Sequence, residues 1–252
     1  MFSAMYIMWL RHLKRYFRSR ARIVASLGQP LLFLLALGFG LNNNYHPTGG
    51  GKYIDFLPPG IIAMSILFTA TFSGIELLWD RQFGFLKETL VAPVPRLAII
   101  IGRTLGGATV ALFQGLILFA VCLCIGFRPA HPMLLPVALL FMILIGILFT
   151  AFGNAVGSLL EDFQGFQLVM NFIIMPIFFL SGALFPLDPK TSPKPLLWIA
   201  NVNPLAYGVD GLRAVLTNQH SYFSLPVDLC VLPVVAAAVL CLGAYLFSRI
   251  QL

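Results

Sequence analysis

The chain reads as an all-α integral membrane protein, and three observations predict it. Hydrophobic residues fill 59% of the 252 positions and charged residues only 10%, with a mean hydropathy of +0.91, a balance that soluble domains of this length do not show. The apolar residues gather into runs of about 20, which at ~1.5 Å per helical residue is what a helix needs to cross a hydrocarbon core ~30 Å thick. The sixteen Lys and Arg residues fall in short flanks between those runs. A formal charge of +7 on a soluble chain would suggest nucleic acid, but basic flanks beside spans are topology signals, so no nucleic-acid partner is expected.

At the start, Tyr6, Trp9, Leu10, Leu13 and Phe17 recur at helical spacing beside a stripe of Arg11, Lys14, Arg15, Arg18 and Arg22. This predicts an amphipathic helix over residues 1–22 that lies in the cytoplasmic membrane surface. It serves either as a positive flank that fixes orientation or as a helix that also meets a partner. The first span is predicted over 23–41, too long for the ~7–15 residues of a secretory signal core. An Asn- and Gly-rich outside loop follows. The second span, 56–78, opens on Pro58-Pro59 and carries Glu76 near its inner end, where a carboxylate either snorkels to the interface or faces a polar pathway.

Residues 79–103 are too charged to span and too apolar for a free loop. They predict a short amphipathic helix at the cytoplasmic surface, broken early by Gly84 and ended by Pro93-Val94-Pro95. The third and fourth spans are predicted over 104–127 and 134–156. Gly102/Gly106 and Gly153/Gly157 are small-xxx-small pairs that permit close helix approach.

Glu161 and Asp162 form an acidic turn before the fifth span, 167–185, which holds no charged residue. Pro176 removes a backbone donor inside it, which lipid tolerates only where neighbouring helices satisfy the freed carbonyl, so this span belongs in a bundle. The outer region, 186–228, is not a simple loop. Leu196–Ala200 is apolar again, and Asn203-Pro204 supplies an N-cap followed by proline at the first helical position. Asp210 and Arg213 then lie three apart on one face, where they can pair. The sixth span, 229–247, carries Pro233 and ends at Arg249. With the N-terminus inside, Lys52, Arg128, Lys190, Lys194 and Arg213 fall outside and the other eleven of the sixteen Lys and Arg residues fall inside, which supports six spans with both termini cytoplasmic.

Two stretches carry a family resemblance. EDFQGFQLVMNFIIMPIFFLSGALFPLD followed by NPLAYGVDGLR resembles the signature of type-2 ABC exporter permeases, and WDRQFGFLKETLVAPVPR resembles the region after their second span. The resemblance implies a six-span half-transporter that pairs with a second permease, as a homodimer or as a heterodimer, and carries one ABC ATPase subunit per half. ATP and Mg would sit on that ATPase, with no cofactor in this chain. It also implies that the segment matching Phe83–Arg96 forms a coupling helix docking on the ATPase. Phe83, Gly84, Phe85, Leu86, Glu88, Pro93 and Arg96 would make this contact, together with the Glu161-Asp162 turn. Pro95 stands where many members carry a small polar residue. By the same resemblance the second and fifth spans line the transport path through Thr69, Phe72, Ser73, Asn171, Phe172 and Phe179, although each aromatic also suits ordinary helix packing. The segment matching 196–216, with Asn203, Pro204, Asp210 and Arg213, would form a re-entrant helical pair on the outer side.

The absent motifs agree. G-x-x-x-x-G-K-[ST] does not occur, and the Gly51-Lys52 pair is followed by Tyr53. An intramembrane enzyme would need nucleophiles or metal ligands within the spans, yet His12, His46, His131 and His220 all fall in flanks or loops and no H-E-x-x-H occurs. Cys122, Cys124, Cys230 and Cys241 lie in apolar runs as small hydrophobes, so no metal site is expected. The expected function is that of an exporter permease in the cytoplasmic (inner) membrane, moving an amphipathic or lipophilic cargo: drug-like, lipid or lipid-linked glycan. The alternatives are an intramembrane enzyme or a non-transporting scaffold, and copurification with an ATPase discriminates them.

Overall fold

The computed structural model describes residues 2–40, 53–86, 94–189, 192–217 and 221–249, and all regular structure among them is helical. Residues 42–52 of the outside loop predicted over 42–55, Lys87–Pro93 with Glu88 and Pro93, Lys190 and His220 lie outside the described residues, and 53–55 are helical instead of loop.

The basic amphipathic stretch forms α1 (Phe2–Arg18) and breaks at Ser19 before α2 (Arg20–Gly40). Next comes α3 (Tyr53–Gln82), which runs four residues past the predicted end of the second span. Its helix stops where Gly84 adopts φ +79°, the left-handed region that glycine enters without steric cost. After the undescribed stretch, α4 begins at Arg96 and continues to Ile125. The predicted surface helix over 79–103 is therefore corrected at both ends. Trp79–Gln82 completes α3, and Arg96–Arg103 opens α4. The physical reason is tertiary: Asp80 and Arg103 neutralise each other in the interior, so neither residue has to end a helix at the surface.

A 3₁₀ turn, Pro132–Leu134, leads into α5 (Leu135–Leu159). The fifth predicted span is a 17-residue helix, α6 (Phe163–Phe179), begun by Asp162, whose carboxylate accepts the Gly165 N–H at 2.9 Å. It ends six residues before the predicted Phe185, at a turn where Gly182 takes φ +76°. At ~1.5 Å per residue it is ~25 Å long, short of the ~30 Å core. Met170–Ile174 within it is a π-helical turn. Its buried residues Phe166, Met170, Ile174 and Phe178 are each four apart. In a regular helix of 3.6 residues per turn such a row drifts ~40° per step, and the wide turn takes back part of that drift and keeps the row facing the core.

The outer region forms α7 (Lys194–Val202) and α8 (Pro204–Leu216) as two short helices, with the Asn203 side chain accepting the Leu205 N–H at 3.0 Å as predicted. Last comes α9 (Leu225–Ser248). Among the described residues five helices are long and apolar enough to cross a membrane: α2, α3, α4, the Pro132–Leu159 pair and α9.

The centre of the bundle is α3, buried along most of its length and packed against α2, α4, α5 and α8. Both predicted glycine pairs lie at close approaches. A Cβ on Gly153 or Gly157 would fall 2.3 Å from the Thr71 carbonyl oxygen or 2.6 Å from that of Gly74, both on α3. Gly102 and Gly106 receive α1 instead, against Met5, Met8 and His12. A pattern read as span-on-span packing thus also seats the amphipathic helix.

Candidate functional site

The site is built where α1 lies across the ends of α3 and α4. Trp9 Nε1 donates to Thr109 Oγ1 at 3.0 Å, and the Tyr16 hydroxyl donates to Gln114 Oε1. These two bonds pin α1 along α4 and turn its Arg11–Arg15 side toward α3. There Asp80 collects three arginines: Arg103 Nη1 at 2.7 Å, Arg11 Nη2 at 2.9 Å and Arg15 Nη1 at 3.5 Å. One turn earlier Glu76 pairs with Arg22 of α2, and His12 Nδ1 lies 3.1 Å from its Oε2. Arg103 is only 1% exposed, so its charge depends on Asp80. The sequence left Glu76 between snorkelling and a polar pathway. It points into this cluster.

Burial pushes the His12 imidazole below its ordinary 6.5, with Arg103 acting in the same direction and the Glu76 and Asp80 carboxylates opposing. Its folded value lies below its unfolded value, so the unfolded chain takes up the proton first as pH falls. The contribution is complete above pH 6.5 and is lost as pH drops through the folded value. Thermal unfolding followed at pH 7.5 and 5.5 should show a fall in midpoint for the unmodified protein that is smaller for His12→Gln. An equal fall in both would remove His12 from the account.

Beside the cluster opens a cleft of about 370 Å³ between α1, α2, α3 and α4. Phe68, Phe72, Trp79, Pro30 and Val110 supply its apolar walls, and Arg15, Arg22 and Glu76 its charged end. Three predicted path residues, Thr69, Phe72 and Ser73, line it. The other three, Asn171, Phe172 and Phe179, do not. They are exposed on α6, Phe172 by 76%, so a single chain does not bring the two groups together.

The predicted coupling residues gather at the α1 end. Arg81 donates to Glu161 Oε1 at 3.0 Å and to the Leu160 carbonyl at 3.2 Å, and Gln82 donates to the Glu161 carbonyl at 3.3 Å. The Glu161-Asp162 turn is thereby clamped to the end of α3. Leu86 is buried against Leu77, Ile99, Ile100 and Phe247, whereas Phe83 and Phe85 are exposed. Arg96 donates to the Ser248 carbonyl at 2.5 Å, joining α4 to the end of α9.

At the opposite end, the four predicted outer residues act as fasteners. Asn203 Nδ2 donates to the Ile177 carbonyl at 2.7 Å, with Pro204 as the first residue of α8. Arg213 donates to the Gly182 carbonyl at 2.9 Å and stacks 3.9 Å over the Phe56 ring. Asp210 accepts the Tyr222 and Phe223 N–H groups at 2.9 and 2.8 Å, which ties the stretch before α9 to α8. Asp210 and Arg213 thus engage separate partners and make no ion pair with each other.

A bundle of apolar helices with a charged seam at one end and a capped helix pair at the other meets its relatives here. The profile of the ABC-2 type transporter family matches residues 3–217. The chain belongs to that family. It is therefore a multi-pass membrane protein and the membrane subunit of an ABC-2 transport permease, a family role that implies a non-catalytic chain working with an ABC ATPase subunit. Nodulation protein J of Rhizobium leguminosarum bv. viciae is 30% identical over 201 residues, which cover 79% of this chain and 76% of that protein. The putative transport permease ycf38 of Pyropia yezoensis is 31% identical over 248 residues, 92% of this chain and 83% of the relative. The inner membrane transport permease YadH of Escherichia coli K12 is 27% identical over 209 residues, 81% and 79% of the two chains.

Within this permease, Asp80, Arg103 and Arg11 are the site residues that sequence reasoning missed. Asp80 and Arg103 were placed on a surface helix, and only the i, i+4 spacing of Glu76 with Asp80 on one helix face signalled a shared partner.

Proposed function

We propose that the chain is one half of an ATP-driven exporter. It has six crossings with α6 as the fifth, both termini cytoplasmic, and pairs with a second copy as a homodimer, with one ATPase per half. ATP and Mg belong to that ATPase. The observation that carries this reading is the exposed Phe83 and Phe85 at the end of α3, beside the clamped Glu161-Asp162 turn and at the same end as the basic α1. A surface that is both apolar and charged fits a docking face, where the apolar groups fill a cleft and the charges fix orientation. Closure of the ATPases would press on this end, and the helices would move as rigid bodies in alternating access. The exposed Asn171, Phe172 and Phe179 of α6 would face the partner permease across the path, while Thr69, Phe72 and Ser73 line the cleft on the cytoplasmic side. Aromatic walls, with Phe68 and Phe72 in the cleft and Phe172 and Phe179 on α6, suit an amphipathic or lipophilic cargo, whether drug-like, lipid or lipid-linked glycan. On the outer side, α7 and α8 form a re-entrant pair.

Phe85→Ala and Glu88→Lys test the docking face. Both variants should insert and dimerise as the unmodified protein does, while transport and stimulation of the ATPase fall together by about tenfold, the scale of losing an interface anchor. Unchanged transport and ATPase assembly in both variants would sink the coupling role and move it to the Glu161-Asp162 turn. The purified chain alone should show no ATP turnover, and turnover by a homogeneous preparation would refute the permease-only reading.

A further inference from the structure

The charge at the mouth of the cleft is not balanced. Arg11, Arg15, Arg22 and Arg103 face two carboxylates, Glu76 and Asp80, so the cluster carries two positive charges in excess even with His12 neutral. The excess is on the cleft side. Arg15 and Arg22 both line the cleft and bond the carboxylates through Nη1 only, Arg15 at a long 3.5 Å. Nη2 and Nε of both guanidiniums hold no hydrogen bond among the described residues and so keep N–H groups to spare, a fork whose geometry matches a phosphate. Trp79 lies level with this charged end, between Glu76 and Asp80 on α3, and behind it the walls turn apolar with Phe72 and Phe68, one and two turns from Glu76. Arg22 of α2 and Phe72 of α3, both lining the cleft, are exposed. The cavity volume falls in the range of ligand sites, roughly 300–1,000 Å³. Because α1 is amphipathic, the charged end lies at headgroup depth and the apolar walls extend toward the acyl region.

We infer that this cleft binds an amphiphile with a phosphate-bearing headgroup, the phosphate held by Arg15 and Arg22 and the first part of the tail lying against Phe72 and Phe68. Glu76 competes with that phosphate for Arg22 and sets the affinity. The site needs neither a second copy nor an ATPase. Only its connection to cargo rests on the exporter reading.

A tryptophan introduced by Phe68→Trp provides the readout. In a Trp9→Phe, Trp79→Phe, Trp198→Phe background it is the one tryptophan, and bromine on an acyl chain quenches it on contact. Full-length protein in detergent would be titrated with brominated phosphatidic acid, phosphatidylcholine and diacylglycerol of identical chains. The expected result is quenching by phosphatidic acid at about one tenth of the concentration that the other two require, since hydrogen bonds to charged groups are the strong ones. Arg22→Gln and Arg15→Gln should each remove most of this preference, Arg22→Lys should retain it in part, and Glu76→Gln should strengthen it. The opposed directions of Arg22→Gln and Glu76→Gln separate binding from damage to the fold. Equal quenching by the three lipids, or a preference indifferent to both substitutions, overturns the proposal.

Adding the ATPase subunit and ATP then separates two sources of the same chemistry. A phosphate-headed membrane lipid stays bound during turnover, whereas a phosphate-headed cargo is released. Failure of the exporter reading would abolish release and leave the binding preference intact.

Discussion

Asp80→Ala is expected to give the largest loss of stability of any single substitution at the α1 end. Among the described residues Asp80 is the sole carboxylate partner of the fully buried Arg103, and it also draws Arg11 and Arg15 of α1 onto α3. Removing one partner of a buried ion pair leaves the other charge uncompensated, at a cost of about 3–5 kcal/mol. Arg11 and Arg15 are partly exposed and would turn to water at little cost, so nearly all of the effect belongs to Arg103. That assignment is testable by a double variant. Asp80→Ala with Arg103→Met removes both charges, and most of the lost thermal stability in detergent should return, because an apolar replacement of a buried pair is often neutral. A single variant that unfolds within a degree of the unmodified protein would contradict the assignment, as would a double variant no better than the single.

Gly74→Val is the second. A Cβ at Gly74 would fall 2.1 Å from the Gly153 carbonyl oxygen of α5, and one at Gly153 only 2.3 Å from that of Thr71 on α3. Both obstacles are backbone, so no side chain can swing aside, and the two helices must separate along the seam that also holds Gly157. Overpacking of this kind costs about 1–3 kcal/mol and more where backbone must shift. The expected readout is loss of the monodisperse species in detergent and a lowered unfolding midpoint. Gly28→Ala is the control. Gly28 lies in α2 with nothing within 4 Å of its added Cβ, so alanine there should be neutral or stabilising by up to about 1 kcal/mol. Equal behaviour of the two variants would show that the α3–α5 crossing is not the tight contact described.

What the sequence made legible is local or periodic. The long apolar runs appear as helices, Asn203 caps α8, the acidic turn caps α6, and both glycine pairs meet a neighbouring helix at van der Waals limits. The pairing of Asp80 with Arg103 was not legible, because charge in a flank reads the same whether it faces water or a buried partner, and 23 residues separate the two. Likewise the early end of α6 at Phe179 left no trace in hydropathy, since Leu180–Phe185 is as apolar as the helix before it. Its end depends on a turn at Gly182, whose carbonyl is held by Arg213. The path residues were divided for a related reason. Resemblance assigns residues to a route, but which face of α3 or α6 points into one chain's interior is decided by tertiary packing.

The stretch from Leu160 to Leu184 is attached to α3 at both extremities. Arg81 holds its first carbonyl, and the Tyr53 hydroxyl donates to the Leu184 carbonyl at 2.8 Å. These attachment points lie 28 residues apart on α3, about 42 Å at ~1.5 Å per residue. Two rods riveted at both ends make a closed frame, and a load applied at one rivet reaches the other without slack. Any mismatch in their lengths or twist must be absorbed between the rivets. The π-helical turn at Met170–Ile174, immediately before the proline-bearing Met175–Phe179 segment, is the compliant joint available for that strain. On the proposed docking beside Phe83, α6 would be the exception to rigid-body movement, with the applied force emerging as rotation about Met170–Ile174 that swings Phe179 relative to the start of the helix.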